Sequence, residues 1–173
     1  MENIENINYK KIELRKKYRK LRKDTIHKKE AAYSLLNNYI NNVTIKKSHI
    51  ISGYMPIDGE IDVLPLMHYL LQKGNIVAIP IINQDSKILS FHQWNTTNSV
   101  TPNIIIVPLV AFDKKLNRLG FGGGYYDSTI AQLKPHCQTI GIAYDIQLCD
   151  KVPTEPHDQV LDMIITESTV YTI

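Results

Sequence analysis

The sequence predicts an α/β fold: a single-domain three-layer sandwich, with a mainly parallel sheet and helices on both faces. Short apolar runs alternate with amphipathic segments of helical length, which is the pattern of βαβ units. The run Ile104-Ile105-Ile106-Val107 also lacks any polar position, as expected of a strand buried on both faces. A length of 173 residues, 43% of them hydrophobic and 21% charged, supports one core and hence one domain, 1–173. In chain order, Leu14, Tyr18 and Leu21 share a stripe at helical spacing, which places a basic helix over 8–24, packed on the α/β core. Asp24-Thr25 reads as the N-cap of a second helix, 27–42, whose apolar positions include Ala31, Leu35 and Tyr39. A strand over 49–54 leads into a loop with the turn-forming pair Asp58-Gly59. A helix over 63–73 is stopped by Gly74. Further strands are expected at 76–80, 88–91, 104–107, 139–143 and 163–165, with a helix over 124–133. The Asn-rich stretch 95–103 reads as a mobile surface loop.

Composition excludes several classes. No apolar run approaches the roughly 18–20 residues of a membrane-spanning helix, and mean hydropathy is −0.20. Met1-Glu2-Asn3-Ile4 lacks the layout of a secretory signal, so the expected compartment is the cytoplasm. Cys137 and Cys149 are too few for a disulfide framework and lack metal-ligand spacing, which leaves them as buried or inert thiols. With no exposed apolar stripe evident, a monomer is expected.

The charge is uneven. Residues 10–30 hold 11 of the 20 Lys and Arg but 3 of the 17 Asp and Glu, so the basic character is local and the remainder is net acidic. Lys11 and Arg15 lie four apart and project together from the first helix. The helix admits three uses: a solvated charged face, a nucleic-acid or acidic-lipid surface, or a nucleotide phosphate site in which one pair of cations matters.

The most informative string is Arg118-Leu119-Gly120-Phe121-Gly122-Gly123-Gly124-Tyr125-Tyr126-Asp127. Four glycines in five positions, between a strand and a helix, allow positive φ and bring successive N–H groups close to a ligand. The helix N-terminus adds unpaired N–H groups and Arg118 a cation, which suits a polyphosphate. Asp127, in the first helical turn, is a candidate magnesium ligand beside such phosphates; the bland alternative is a tight turn with a capping aspartate. Neither the dinucleotide fingerprint nor the P-loop pattern is present.

From Val107 to Asp127 the sequence closely resembles the signature of the 5-formyltetrahydrofolate cyclo-ligase family, also called methenyltetrahydrofolate synthetase. The resemblance extends to Lys11-x-x-Leu14-Arg15, to Gly59-Glu60-Ile61-Asp62 and to the segment 153–167, so it spans most of the chain. It implies that ATP is gripped by Lys11, Arg15 and the loop from Arg118 through Tyr126, with Lys11, Arg15 and Arg118 acting catalytically on its phosphates. It further implies magnesium (Mg2+) on Asp127 and Asp162, and a folate-binding acid at Glu60 or Asp62. Met55, Tyr54 and Trp94 are candidate pocket walls for the pterin ring, with Tyr125 a further folate contact; core packing is the equal alternative for Met55, Tyr54 and Trp94. The implied reaction is ATP-dependent ring closure of 5-formyltetrahydrofolate, mono- or polyglutamylated, to 5,10-methenyltetrahydrofolate, through a phosphorylated formyl oxygen. That chemistry rests on positioning and charge neutralisation and needs no nucleophilic side chain. The sequence offers no Ser/His/Asp or Cys/His set, and His157-Asp158, after Pro156, reads as a structural turn.

The sequence departs from the family pattern in places. Leu109 stands where glycine is usual and Ser128 where a basic residue is common; Pro80-Ile81-Ile82 lacks a frequent cation; and the stretch between Trp94 and Ile104 is shorter than usual. These changes bear on folate more than on ATP. Three alternatives remain: a phosphate-ligand enzyme on a similar scaffold, of the sugar-phosphate isomerase type; a nucleic-acid-binding module built on the basic helix; and a degenerate family member that binds folate without turning it over. The first predicts no ATP dependence, and the second leaves the glycine loop without a purpose.

Overall fold

A computed structural model describes residues 4–173; the sequence reading of the extreme N-terminus as lacking a secretory signal falls largely outside the described residues. The chain opens with α1 (Ile4–Asp24) and α2 (Lys28–Asn42), followed by β1 (Ile50–Ser52), α3 (Leu64–Gln72), β2 (Ile76–Ile81) and β3 (Ser90–Gln93). Then come β4 (Ile104–Pro108), the short pair β5 (Ala111–Phe112) and β6 (Arg118–Leu119), α4 (Tyr125–Leu133) and β7 (Gln138–Ile142). A 3-10 turn at Asp145–Gln147 precedes β8 (Met163–Ile165) and β9 (Val170–Tyr171).

Among the described residues, seven strands form one sheet in the order β3-β2-β1-β4-β7-β8-β9. The five inner strands are mutually parallel, and the edge strands β3 and β9 run antiparallel to their neighbours. Side chains on successive residues of a strand point to opposite faces, and here both faces are apolar. Ile104, Ile106, Ile140, Ile142, Val77 and Ile51 pack with Leu35, Tyr39, Leu66 and Leu70 of α2 and α3. Ile105, Val107, Ala78 and Ile164 pack on the other side with Ile130 of α4 and with Phe112 and Leu116 of the β5–β6 hairpin. The three-layer sandwich is therefore present, and the unalternating 104–107 run is its central strand. The apolar stripe of α1 docks elsewhere: Tyr18, with Leu14 and Leu21, packs on Val110, Ala111, Leu119, Cys149 and Val152.

Gly74 takes φ 86 just past α3 and donates its N–H to Leu71 O, the expected left-handed stop. Asp58 and Gly59 both have positive φ, as the predicted turn requires, and Glu60 N bonds Ile57 O across it. Local expectations change in several places: α1 starts at Ile4 rather than at 8, and the strand expected over 49–54 is confined to Ile50–Ser52. Thr25 does not cap α2; its hydroxyl donates to Leu21 O at 3.0 Å and closes α1, while His27 in the left-handed region occupies the α2 cap position. The third strand is Ser90–Gln93 rather than 88–91. The stretch 95–103 is not structureless: Gln93 N bonds Asn98 O, Val100 N bonds Phe91 O, and Ser99 bridges back to His92. The hairpin β5–β6 and strand β9 were not expected from the sequence, because strands of two residues carry no periodicity.

Candidate active site

From β1 the chain steps to β2 on one side and later returns to β4 on the other. The β1/β4 junction is thus a topological switch point, where open α/β sheets bind ligands beyond the carboxyl ends of the strands. A cavity of about 680 Å³ opens there, within the size range of small-molecule sites. Tyr54 and Met55 after β1, Pro80 in β2 and Pro108 at the end of β4 contribute to its wall, closed by α1 and the glycine loop.

One half of the cavity is polar. Lys11 and Arg15, separated by one helical turn, both line it, as do Arg118 and the loop 119–127. Arg15 Nε donates to Gly120 O at 2.8 Å, and a Cβ on Gly122 would come within 3.3 Å of its guanidinium. Gly122 (φ 104) and Gly124 (φ 72) adopt the conformation that favours glycine. A Cβ on Gly120 would meet nothing within 4 Å, so a ligand can approach that backbone closely. α4 begins at Tyr125, directing its N-terminal N–H groups at the same space.

Each cation in this half faces acids. Lys11 Nζ lies 2.7 Å from both Glu155 Oε2 and Asp158 Oδ2. Burial alone would lower the Lys11 pKa, but its hydrogen bonds to Asp158 and Glu155, reinforced by their charge, raise it on balance. Arg15, desolvated in the wall and facing the same two carboxylates at longer range, is shifted downward, burial prevailing. Arg118 Nη2 donates to Asp127 Oδ1 at 2.9 Å, and the same oxygen accepts Gln159 N–H. Arg118 Nη1 donates to Gln159 O. Three cations and three carboxylates neutralise one another, a balance that an incoming anion and a divalent cation could replace pairwise.

The other half is more apolar: Tyr54, Met55, Ile57, Ile79, Ile82 and Leu89, with Glu60 as its carboxylate. Glu60 is 8% exposed and its Oε2 accepts Ile57 N–H at 3.0 Å. Burial pushes its carboxyl upward, partly offset by the Ile57 hydrogen bond and by Arg22.

The structure thus brings together Lys11, Arg15, Met55, Glu60, Arg118, the glycine loop through Tyr126, and Asp127. It does not bring Asp162, Asp62 or Trp94 to the cavity. Asp162 Oδ2 accepts the Thr139 N–H and hydroxyl, and Oδ1 faces Lys134, tying down the start of β7. Asp62 Oδ1 accepts Leu64 N–H at the start of α3, and Trp94 packs against His68. Of the two acids that the sequence left open, Glu60 lines the cavity and Asp62 does not. Three contributors were not read as site residues from the sequence: Glu155 and Asp158, the latter taken with His157 as a structural turn, which line the cavity, and Arg22, buried behind it. The first two follow Val152-Pro153 within the 153–167 segment, so a signal existed; for Arg22, one cation among many, none did.

The residues fit both a nucleotide and a magnesium ion. The open approach over Gly120 and the three cations suit a polyphosphate. Asp127, Glu155 and Asp158 supply the carboxylate oxygens that hard divalent cations prefer; among the described residues, ligand atoms of Glu155, His157 and Asp158 lie within 4.8 Å of one another.

Residues 7–167 match the model of the 5-formyltetrahydrofolate cyclo-ligase family. A 5-formyltetrahydrofolate cyclo-ligase of Escherichia coli (strain K12) is 31% identical over 147 residues, covering 72% of this chain and 81% of the relative. One from Mycoplasma pneumoniae is 38% identical over 121 residues, 68% of this chain and 72% of the relative. The solved structure of a 5,10-methenyltetrahydrofolate synthetase from Mycoplasma pneumoniae superposes with a TM-score of 0.80 at 31% identity, covering 91% of this chain and 98% of that one. That of Aquifex aeolicus gives 0.75 at 27% identity, with 94% and 92% covered. With the family match spanning nearly all the described residues and the cavity carrying the glycine-tyrosine loop on which the resemblance rests, the chain belongs to the 5-formyltetrahydrofolate cyclo-ligase family.

Proposed function

We propose that this chain is an ATP- and magnesium-dependent 5-formyltetrahydrofolate cyclo-ligase, working as a cytoplasmic monomer. The supporting observation is the joining, in one cavity, of a polyphosphate-type half around Arg118 and the glycine loop to an apolar half ending in Glu60. None of the described helices is long and apolar enough to cross a membrane.

In this reading the formyl oxygen of 5-formyltetrahydrofolate attacks the γ-phosphorus of ATP and ADP leaves. The neighbouring anilinic nitrogen then attacks the activated formyl carbon, and phosphate leaves, carrying off the N–H proton of that nitrogen, as the methenyl bridge closes. Phosphorylation matters because a formyl amide oxygen is a poor leaving group. Lys11, Arg15, Arg118 and the N–H groups of 120–124 neutralise charge on the transferring phosphoryl oxygens, the term that dominates phosphoryl transfer. Asp127, with Asp158 and Glu155, would hold magnesium, which supplies further charge neutralisation when bound. Glu60 accepts hydrogen bonds from the ring system while Met55, Ile57 and Tyr125 cover it and exclude water. The phosphate-ligand isomerase alternative has no use for the apolar half. A nucleic-acid surface would use the exposed cations of α1, such as Lys16 and Lys20, and leaves Lys11, Arg15 and the glycine loop around the cavity without a purpose.

The test is a spectrophotometric assay of purified protein with 5-formyltetrahydrofolate, ATP and magnesium, following the near-ultraviolet band of the methenyl product. Growth of the band only in the complete mixture is the expected result. Product without ATP, or no product from a protein shown by calorimetry to bind ATP, would overturn the assignment.

A further inference from the structure

Arg22 is the most deeply buried charged residue of the cavity's surroundings, fully shielded from solvent yet absent from the cavity wall. Its Nε and Nη2 donate to Asp58 O at 3.1 and 2.9 Å, Nη2 also to Asp58 Oδ2 at 2.9 Å, and Nη1 to Leu109 O at 3.1 Å. Nη1 also lies 3.8 Å from Glu60 Oε1. That separation is too long for a hydrogen bond, so the guanidinium acts on Glu60 through its field and leaves the lone pairs of Oε1 for another donor. The second oxygen, Oε2, is already fixed by Ile57 N–H. Lys11, Arg15, Tyr18 and Arg22 recur at i, i+4, i+7 and i+11, one face of α1. The helix that carries the phosphate cations therefore also backs a carboxylate of the same cavity.

We infer that Arg22 is a positioning residue for the folate: it holds Glu60 in place, as an ionised acceptor aimed into the cavity, without itself touching either substrate. The inference rests on the proposed function, and specifically on Glu60 receiving the folate ring. A buried guanidinium is costly to desolvate; Asp58 and the Leu109 carbonyl offset that cost, and the same geometry brings Nη1 alongside Glu60.

The charged and titratable groups facing Glu60 are Arg22 from α1, Asp58 in its own loop, Tyr54 after β1 and Tyr126 from α4. Burial raises both phenols, so the tyrosines remain neutral. Burial also raises the Glu60 carboxyl and Asp58 raises it further, while the Ile57 N–H hydrogen bond and then Arg22 oppose them. Binding that requires ionised Glu60 weakens by about tenfold per pH unit below the pKa of that group. Loss of Arg22 moves this descending limb to higher pH, whereas loss of the Asp58 charge moves it to lower pH.

The experiment measures calorimetric affinity for 5-formyltetrahydrofolate, without ATP, from about pH 5 to about pH 9. It compares wild type, Arg22→Met, Arg22→Lys, Asp58→Asn, Glu60→Gln and the Arg22→Met/Glu60→Gln double variant. Asparagine tolerates the positive φ of position 58 and retains the backbone carbonyl that Arg22 binds. The expected result is a limb shifted upward in Arg22→Met, shifted back toward wild type in Arg22→Lys, and shifted downward in Asp58→Asn, with no pH effect of Arg22→Met once Glu60 is glutamine. Unchanged affinity for a non-hydrolysable ATP analogue serves as the control for folding; should Arg22→Met fail it, Arg22→Lys and Asp58→Asn decide by their opposite shifts. Equal weakening at every pH, or a limb that moves in the double variant, would reduce Arg22 to a structural role and overturn the inference while leaving the function intact. A wild-type protein that binds no 5-formyltetrahydrofolate at any pH would overturn both.

Discussion

Asp158 and Asp162 stand four residues apart, yet one faces the cavity beside Lys11 and the other anchors Thr139 on the far side of the segment. Spacing alone cannot separate them, because both precede β8 and either could reach back from an extended chain. Reach is decided by the turn at 155–158, where Asp158 N bonds Glu155 O and turns both carboxylates toward α1. Alanine at position 127 or 158 is therefore expected to abolish magnesium-dependent turnover and also to cost about 1–3 kcal/mol, since each carboxylate accepts two hydrogen bonds. Alanine at position 162 removes two hydrogen bonds to Thr139 and is expected to cost about 1–2 kcal/mol in urea denaturation while turnover persists. Loss of turnover on Asp162→Ala in a folded protein would restore Asp162 to the site. Lys11, Arg15 and Asp127 were legible in the sequence because one helical turn and one loop place them locally. The partners of Lys11 were not, being separated from it by 144 and 147 residues. Asp62 and Trp94 illustrate the converse: an aspartate two residues before a helical N–H is drawn to cap it, and an aromatic ring next to His68 can pack where it stands.

At the scale of elements, the sheet and its two covering layers were legible because apolar runs and amphipathic periods extend over several residues. α1 was legible only by half. Its apolar stripe was expected and Lys11 and Arg15 were singled out as a pair, but nothing in the rest of the Lys and Arg run marked which other cation the fold takes in. Lys11 and Arg22 are buried alongside Tyr18, and the helix embeds cations as well as apolar groups. Tyr18 carries the packing: it is 5% exposed against Val110, Ala111, Leu119 and Cys149, with its hydroxyl 3.3 Å from Leu148 O. Tyr18→Ala is expected to destabilise the protein by about 3–4 kcal/mol, as large aromatic truncations do, and also to weaken ATP binding, because Lys11 and Arg15 lose their seat. Urea denaturation and nucleotide calorimetry on the one variant check both. A stability loss with unchanged ATP affinity would mean that the cations are held by their acids and not by the docking of α1.

For the whole molecule, the switch point places the cavity where the sheet itself stops, so its outer wall must come from elements that the sheet does not fix. α1 rests on the β5–β6 hairpin and on the 145–152 segment, with its polar contacts running to 155–158, to Gly120 and to Asp58. The inner strands β4 and β7 are paired on both sides and buried, and need no ligand to hold them. Nucleotide binding should therefore stabilise the wall far more than the sheet. At a free concentration about 100 times Kd, a ligand selective for the native state contributes about 2.7 kcal/mol, and amides that open locally show that gain at their own positions. With magnesium and a non-hydrolysable ATP analogue, hydrogen exchange is expected to slow in α1, in 120–126 and in 155–159, with β4 and β7 changing only as global stability does. Slowing confined to 120–126 would show a nucleotide held by the loop alone, and would remove Lys11 and Arg15 from the site that joins the two ends of the chain.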